Sequence, residues 1–384
     1  MDSWLNKVHE GHALHLLKKM PSDSVDLVIT SPPYWGLRFY GEGTVTSWPD
    51  GWKGQLGLEP NYQLFVKHLV SILHEVKRVL KPSGSLYLNL GDTYQNKCMI
   101  GMPWRVALAM MDKDGWILRN SIIWHKPNHM PMSVRDRLTN GYEFIFHFVK
   151  SQKYYYNLDA IREPLANPMR PNLDGGSATQ QGIPRTPVKY QKRMDARRVM
   201  KRYQGKFSGA GESSEALAKQ TLRTRGFGSP RARNERDEKG KYGQSELAKQ
   251  TLRTRGHSGY HDKEGNLLVN PFGKNPGDVW KIPTHPFPEA HFAVFPMAIC
   301  WKPILSSCPP NGIVLDPFGG SGTVALATKI LNINNKMPKR DDLVKILSNF
   351  KDGVKPLSCA AERNWIILEM SKEYCAIAEK RLLI

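Results

Sequence analysis

The chain has 384 residues, of which 40% are hydrophobic, and its formal net charge is +20. This length allows one large α/β domain and a smaller module. No stretch reaches the roughly 18 consecutive apolar residues of a membrane span, and the polar start of the chain does not match a signal peptide, so we expect an intracellular, cytoplasmic protein.

Predicted strands and helices alternate over the first part of the chain. β-branched residues at Val25–Thr30 indicate a buried parallel strand, which Ser31-Pro32-Pro33 ends. Apolar residues recur at helical spacing from Asn61 to Leu80, and we expect Pro82 and Gly84 to stop this helix. Next come a strand over Ser85–Leu90, a helix over Met102–Met111, and strands over Trp116–Trp124 and Tyr142–Val149. This order predicts a doubly wound, mostly parallel sheet of the α/β class.

Composition changes after Lys150, where a basic segment with few apolar runs begins. Between Ser151 and Tyr260 there are 23 Lys and Arg residues against 10 Asp and Glu residues. A basic charge concentrated in one module is typical of a polyanion-binding protein, and nucleic acid is favoured because no amphipathic membrane helix accompanies it. We therefore divide the chain into residues 1–150, a basic insert at 151–270, and residues 271–384.

The basic insert contains a ten-residue repeat, at Leu217–Gly226 and again at Leu247–Gly256. Two copies are too few for a solenoid. The repeat is equally compatible with a pair of phosphate-contacting elements and with a duplication in a loop that tolerates change.

Core-like sequence resumes near Asp278. The predicted elements are strands at Gly312–Asp316 and Trp365–Glu369 and helices at Thr323–Leu331 and Lys372–Leu383. The polar stretch Asn332–Asp352 is interpreted as an insertion between these elements.

Thr30-Ser31-Pro32-Pro33-Tyr34 stands at the end of a predicted strand, where ligands bind in doubly wound sheets. Its two prolines fix the backbone and lack N–H donors. The Ser31 side chain and the Pro32 carbonyl can then accept hydrogen bonds from an amino group of a base, and Tyr34 offers an aromatic face on which an extruded base can stack. A proline-rich strand terminator without function is the alternative interpretation.

Asp316-Pro317-Phe318-Gly319-Gly320-Ser321-Gly322-Thr323 forms a second junction, from strand through turn to helix. Its glycines allow a ligand to approach closely, and the helix N-terminus offers free N–H groups to a carboxylate. The segment lacks the Gly-Lys-Ser/Thr of a phosphate loop and the glycine spacing of a dinucleotide fold, so the methionine carboxylate of S-adenosylmethionine fits better. Glu369, at the end of the next predicted strand, can accept hydrogen bonds from both hydroxyls of a ribose.

With these features in place, the chain resembles the amino-methylating DNA methyltransferases, in the β arrangement that puts the catalytic half before the cofactor half. The family's (Asp/Asn/Ser)-Pro-Pro-Tyr motif matches Ser31–Tyr34, and its Asp-Pro-Phe-x-Gly-Ser-Gly-Thr motif matches Asp316–Thr323. The resemblance implies a permuted S-adenosylmethionine-dependent methyltransferase fold and a base flipped out of double-stranded DNA. It also implies a target-recognition role for the basic insert and a place in restriction-modification, at the nucleoid.

Three further segments carry weaker likenesses. Trp124–Asn128 resembles a family segment near the target base, and Asn275–Trp280 and His291–Pro296 resemble the lead-in to the cofactor half. Ordinary core strands and turns are the alternative. Gly11-His12 stands where family members often carry Gly-Asp beside the cofactor's adenine, so this contact is left open.

The resemblance implies direct methyl transfer without a covalent intermediate, and the five cysteines agree with it. Methylation at C5 of cytosine needs a thiolate, usually in a Pro-Cys pair, whereas this chain carries only the reverse order, Cys308-Pro309. The sequence contains no Cys-x-x-Cys pair, so it indicates neither a metal site nor a disulfide. We interpret all five cysteines as buried. The family associates serine at the first position of the Pro-Pro motif with cytosine and aspartate with adenine, so with Ser31 the resemblance implies N4 of cytosine as the favoured target. N6 of adenine is the alternative, and an RNA methyltransferase or an inactive DNA-binding protein is less favoured.

Overall fold

A computed structural model describes residues 1–164, 273–284, 295–334 and 362–383. These residues belong to a compact unit formed by Met1–Leu165 and Pro271–Ile384. Both ten-residue repeats, most of the basic insert, Cys359 and most of the polar stretch after Asn332 lie outside the described residues, so their predictions stay open.

The described residues form one eight-stranded sheet. We number its strands in chain order as β1 (Lys7–Glu10), β2 (Val25–Thr30), β3 (Leu80–Leu90), β4 (Ile117–His125), β5 (Tyr142–Val149), β6 (Val279–Lys281), β7 (Ile313–Asp316) and β8 (Asn364–Glu369). Their order across the sheet is β1-β8-β7-β2-β3-β5-β4-β6. All neighbours pair in parallel except that β5 runs antiparallel to both β3 and β4. The prediction of a doubly wound, mostly parallel sheet is confirmed.

Six α-helices cover the sheet within the described ranges. They are α1 (Ala13–Lys19), α2 (Tyr62–Val79), α3 (Met102–Asp114), α4 (Ala298–Ser307), α5 (Thr323–Asn334) and α6 (Lys372–Leu382). Short 3-10 turns occupy Glu42–Thr44 and Asp159–Ile161, and two small hairpins pair Thr46–Ser47 with Lys53–Gly54 and Tyr94–Gln95 with Cys98–Met99. Among the described helices, none is both long and apolar enough to cross a bilayer.

The helices form two layers because alternate side chains of each strand point to opposite faces of the sheet. In β2, Val28 packs into one apolar core, together with α1, α2 and α3. Its neighbours Leu27 and Ile29 pack into the other core, with α4 and α5. Burial on both faces explains why β2 is apolar apart from Asp26 and Thr30.

Several predicted boundaries match the structure, and two predictions are wrong. The strands at Val25–Thr30 and Tyr142–Val149 have the predicted ends. Helix α2 ends at Val79, and β3 already begins at Leu80, so Pro82 and Gly84 lie inside a strand instead of terminating the helix. Cys98 is exposed in its hairpin, whereas Cys300, Cys308 and Cys375 are buried as expected.

Candidate active site

The two motifs meet at the point where the chain direction across the sheet reverses. Strands β2 and β7 are hydrogen-bonded neighbours, and from them the chain continues to β3 on one side and to β8 on the other. A crevice at the carboxyl ends of strands at such a point is the usual ligand site of an open α/β sheet. Here the crevice is a cavity of about 590 Å³.

Most of the predicted site residues line this one cavity. They are Ser31, Pro32, Pro33, Tyr34, Pro317, Phe318, Gly319, Gly320, Ser321, Thr323 and Glu369. From the weaker likenesses, Gly11, His12, Trp124, Lys126 and Phe295 line it as well. Asp316 and Gly322 are not among the residues that line it.

Asp316 joins the two halves of the site from behind. Its Oδ1 accepts a hydrogen bond of 2.7 Å from the Thr30 hydroxyl at the end of β2, and another of 3.1 Å from the backbone N–H of Phe318. The side chain is almost fully buried, and this burial raises the pKa of its carboxyl to about 7. Asp316 therefore fixes the start of the glycine turn relative to the Pro-Pro motif.

The glycine turn lies tightly against β8. A Cβ atom on Gly319 would stand 2.1 Å from Cγ2 of Ile367, so only glycine fits there. The N–H of Gly320 donates a 2.7 Å hydrogen bond to Oε2 of Glu369, and the N–H of Ser371 donates one of 2.8 Å to Oε1. Burial raises the pKa of the Glu369 carboxyl. The turn and the acid at the end of β8 are thus one hydrogen-bonded unit.

Tyr34 is held by a polar network that includes two residues outside the predicted motifs, Asn89 and Glu143. Its hydroxyl donates a 2.8 Å hydrogen bond to Oε2 of Glu143 on β5 and accepts one of 2.8 Å from Nδ2 of Asn89 on β3. Ser31 Oγ donates to the same hydroxyl at 3.2 Å, and Lys126 forms an ion pair with Glu143. Burial, followed by the charge of Glu143, raises the pKa of the Tyr34 hydroxyl well above its ordinary value, so this hydroxyl is neutral.

Asn89 is the hub of the network. Its Nδ2 also donates to Oε2 of Glu143 at 2.9 Å and to Ser31 Oγ at 3.3 Å. Since the Glu143 carboxylate can only accept, the nitrogen of the amide must face it. Oδ1 of Asn89 is buried and has no partner among the described residues. A buried acceptor without a partner is uncommon in native proteins and marks a place where a donor is missing.

One wall of the cavity comes from a loop that follows the Pro-Pro motif, Gly36–Gly57, which we call the wall loop. The N–H of Gly36 donates to the carbonyl of Gly57 at 2.8 Å, which closes the loop at its base. Gln55 spans the loop: its Nε2 donates to the Arg38 carbonyl at 2.8 Å, and its Oε1 accepts from the Thr44 hydroxyl at 2.8 Å. Thr44, Gln55 and Leu56 all line the cavity.

A buried histidine on α2 anchors the wall loop to the core. His68 contacts Oε1 of Glu59 through Nδ1 at 2.9 Å and Oδ2 of Asp50 through Nε2 at 3.1 Å. Its ring stacks on Trp48 with 3.9 Å between centroids. Glu59 in turn accepts a 2.8 Å hydrogen bond from the N–H of Gly57. The loop is therefore fixed at two places by one side chain.

His12 lies at the N-terminus of α1 and lines the cavity. Burial, and then the neighbouring His15 and His68, lower the pKa of its imidazole to about 4, so the ring is neutral near pH 7. Its Nδ1 is buried without a partner among the described residues. At this place the chain offers a neutral ring and an unpaired nitrogen instead of a carboxylate.

Comparison with known proteins finds relatives across most of the chain. A family model, N6_N4_Mtase, described as DNA methylase, matches residues 25–380. The type II methyltransferase M.SfiI of Streptomyces fimbriatus is 34% identical over 84% of this chain and 85% of its own length. M.SmaI of Serratia marcescens is 28% identical over 98% and 90%. The structure of the PvuII DNA methyltransferase (cytosine-N4-specific) superposes with a TM-score of 0.51 at 17% identity, covering 97% of this chain and 85% of that one.

Proposed function

The chain belongs to this family of DNA methylases, which act on N4 of cytosine or N6 of adenine in type II restriction-modification, and we propose that it methylates N4 of cytosine. The observation that carries the proposal is the Ser31 hydroxyl. It stands at the first position of the Pro-Pro motif, beside Tyr34, where the resemblance associates serine with cytosine and aspartate with adenine. We further propose that the base is flipped out of double-stranded DNA.

The cavity fits the family's methyl donor, S-adenosylmethionine. The methyl donor supplies an electrophilic methyl group on a sulfonium centre when bound. Gly319 leaves no room for a side chain against β8, so the backbone of the glycine turn itself borders the cavity. We propose that the turn and Thr323 hold the amino-acid end and that Glu369 accepts hydrogen bonds from the ribose.

His12 completes this half of the proposal. Its neutral ring borders the cavity next to α1, and Nδ1 lacks a partner. An unpaired ring nitrogen of this kind can form a hydrogen bond with the polar edge of a heterocycle such as adenine. In other family members a carboxylate would make this contact. The departure at Gly11-His12 is therefore compatible with retained adenine binding.

The remaining residues would position the target base. Tyr34 presents an aromatic face, and its hydroxyl is fixed by Glu143 and Asn89, so the ring is oriented before a base arrives. The Ser31 side chain and the Pro32 carbonyl would accept the two hydrogens of the amino group. These contacts favour pyramidal nitrogen, whose lone pair is free of the ring. Pro33 keeps this backbone rigid.

Glu143 acts through Tyr34, because its carboxylate holds the Tyr34 hydroxyl. Its carboxylate already accepts hydrogen bonds from Tyr34 and Asn89 and pairs with Lys126. These contacts fix the carboxylate in place beside the Tyr34 hydroxyl. We assign Glu143, Asn89 and Lys126 to positioning.

The basic insert is proposed to recognise the target sequence, since its residues from Ser151 to Tyr260 carry an excess of 13 positive charges. Contacts with phosphates release counterions, so affinity for duplex DNA should fall steeply with salt. A salt-independent affinity would contradict this role. DNA in the nucleoid of the cytoplasm is the proposed place of action.

Nucleoside mass spectrometry distinguishes the two targets. Unmethylated duplex DNA is treated with the protein and S-adenosylmethionine, digested to nucleosides and compared with DNA treated with the Tyr34→Ala protein. We expect N4-methylcytosine in the first sample only. Finding N6-methyladenine alone would refute the cytosine assignment and leave the DNA methyltransferase assignment intact.

A further inference from the structure

A loop beside the cavity holds an apolar side chain in solvent. The loop joins β4 to β5 over residues 126–141, and its Leu138 is 89% exposed. A single exposed leucine is common on protein surfaces. This one is distinguished by its neighbours, because Lys126 and Asn140, towards the two ends of the loop, both line the cavity.

The loop is braced around Leu138. The guanidinium of Arg137 lies 3.8 Å from the ring centroid of Tyr94, and Asp136 pairs with Lys97 at 3.0 Å. The Tyr94 hydroxyl donates to Oδ1 of Asn140 at 3.3 Å. Residues on both sides of Leu138 are thus tied to the Tyr94–Met99 hairpin, which holds the leucine without burying it.

The topology places this leucine at the open end of the site. The loop starts after the carboxyl end of β4, and the hairpin follows the carboxyl end of β3. Both therefore lie at the sheet edge where the cavity opens. Over residues 126–140 the positive side chains are Lys126, Arg135 and Arg137, against Asp136 alone. The surroundings of Leu138 suit a polyanion better than an apolar protein surface.

We propose that Leu138 enters the base stack of duplex DNA and fills the space left by the flipped base, with Arg135 and Arg137 at the flanking phosphates. Apolar side chains inserted between base steps are a known way to stabilise unstacked DNA. Such a wedge needs an apolar side chain, a braced loop and positive charge beside the cavity that would take the flipped base, and all three occur here. The inference rests on the proposed flipping from a duplex and is independent of the choice between cytosine and adenine.

The test compares two duplexes that carry the mapped target site, one fully paired and one with a mispaired base opposite the target. A mispaired base costs less to extrude. For Leu138→Ala, kcat/KM should fall at least about tenfold on the paired duplex and change less than about twofold on the mispaired one. Leu383→Ala is the matched control, because Leu383 is 86% exposed and lies at the end of α6, away from the cavity lining.

Three outcomes would overturn the wedge. The first is unchanged turnover of Leu138→Ala on the paired duplex, and the second is an equal loss of turnover on both duplexes. The third is a change in the oligomeric state of the protein on the Leu138→Ala substitution, measured by light scattering, because Leu138 would then contact a second copy of the chain instead of DNA. Failure of the proposed function is separate. If the unmodified protein makes only N6-methyladenine, the cytosine assignment fails, and the same two duplexes test the wedge with adenine as target.

Discussion

The hydroxyl of Tyr34 donates a 2.8 Å hydrogen bond to Oε2 of Glu143, which lies 109 positions further along the chain. Tyr34 follows β2, whereas Glu143 is the second residue of β5, the strand that runs against its neighbours. Because β5 is antiparallel, its first residues lie at the edge where the other strands end. The reversed strand thus delivers a carboxylate to the active-site edge.

This relationship predicts separate effects for the ring and the hydroxyl of Tyr34. Tyr34→Phe keeps the aromatic face and loses the bonds to Glu143 and Asn89, so we expect kcat to fall about tenfold. Tyr34→Ala loses the face as well, and we expect a fall of about 100-fold or more. Steady-state kinetics on duplex DNA gives both values. Calorimetry with S-adenosylmethionine should show unchanged affinity, and near-full turnover of Tyr34→Ala would contradict the stacking role.

Asp316 is predicted to control cofactor binding through the glycine turn. Asp316→Ala removes the acceptor for the Thr30 hydroxyl and the Phe318 N–H, so affinity for S-adenosylmethionine should fall about tenfold or more. Asp316→Asn keeps an oxygen in the same place and should retain most of the affinity. Calorimetry measures both variants. Equal losses would show that charge matters here more than the two hydrogen bonds.

The Asp316→Asn variant also tests the raised pKa of the Asp316 carboxyl. The folded chain holds the proton up to about pH 7, whereas the ordinary pKa of the group is 3.8. Between these values the folded state binds more protons than the unfolded state, so this group lowers the free energy of unfolding as pH rises from about 4 to 7. Tm should therefore decline less over this range for Asp316→Asn than for the unmodified chain. If Tm falls equally with pH in Asp316→Asn and in the unmodified chain, the pKa of Asp316 is not raised in the folded state.

Gly319→Ala should disrupt the cofactor half by a steric clash. Its new methyl group would stand 2.1 Å from Ile367, and relief of the clash must move the turn away from β8. We expect a loss of stability of about 1–3 kcal/mol, as for other overpacked sites, and weakened S-adenosylmethionine binding. Gly43→Ala is the matched control, because a Cβ there meets nothing within 4 Å. Urea unfolding of both variants would reveal the difference, and equal midpoints would refute the clash.

His68 should stabilise the wall loop. His68→Ala leaves the buried Glu59 without its partner and removes the stack on Trp48, so the free energy of unfolding should fall by about 3 kcal/mol. His74→Ala serves as control, because His74 lies on the same helix with its side chain 63% exposed and bonded to Asp114. Chemical denaturation compares the two. A similar small effect in both would mean that His68 does not anchor the loop.

The sequence predicts elements where a single physical signal dominates. The β-branched run at Val25–Thr30 and the aromatic run at Tyr142–Val149 have no competing signals, and both strands were located correctly. The sequence does not predict helix α4, because Pro303 interrupts its apolar pattern, yet the structure accommodates this proline inside the helix. Pro82 and Gly84 do not end an element because they lie in a bulge of β3, between Leu80, which pairs with Val25 of β2, and Ser85, which pairs with Leu27.

Some residues of the active site can likewise be predicted from the sequence, and others cannot. Residues within the two motifs could be identified because each motif is local in sequence. Asn89 and Glu143 belong to the site only because three strands come together, which no local pattern reveals. Their one signal was polarity inside apolar strands, Leu88-Asn89-Leu90 and Glu143 before Phe144. A polar side chain in a predicted buried strand is therefore a useful indication of a site.

The buried hydrogen bond between Thr30 and Asp316 joins residues 286 positions apart. During synthesis, β2 leaves the ribosome long before β7, the neighbour that completes its pairing, exists. Contacts over such separations form slowly because a long loop must first close. The nascent chain must therefore keep an unpaired strand edge protected until β7 has been made. A cell that makes this protein gains modified DNA only after β7 of each chain has emerged.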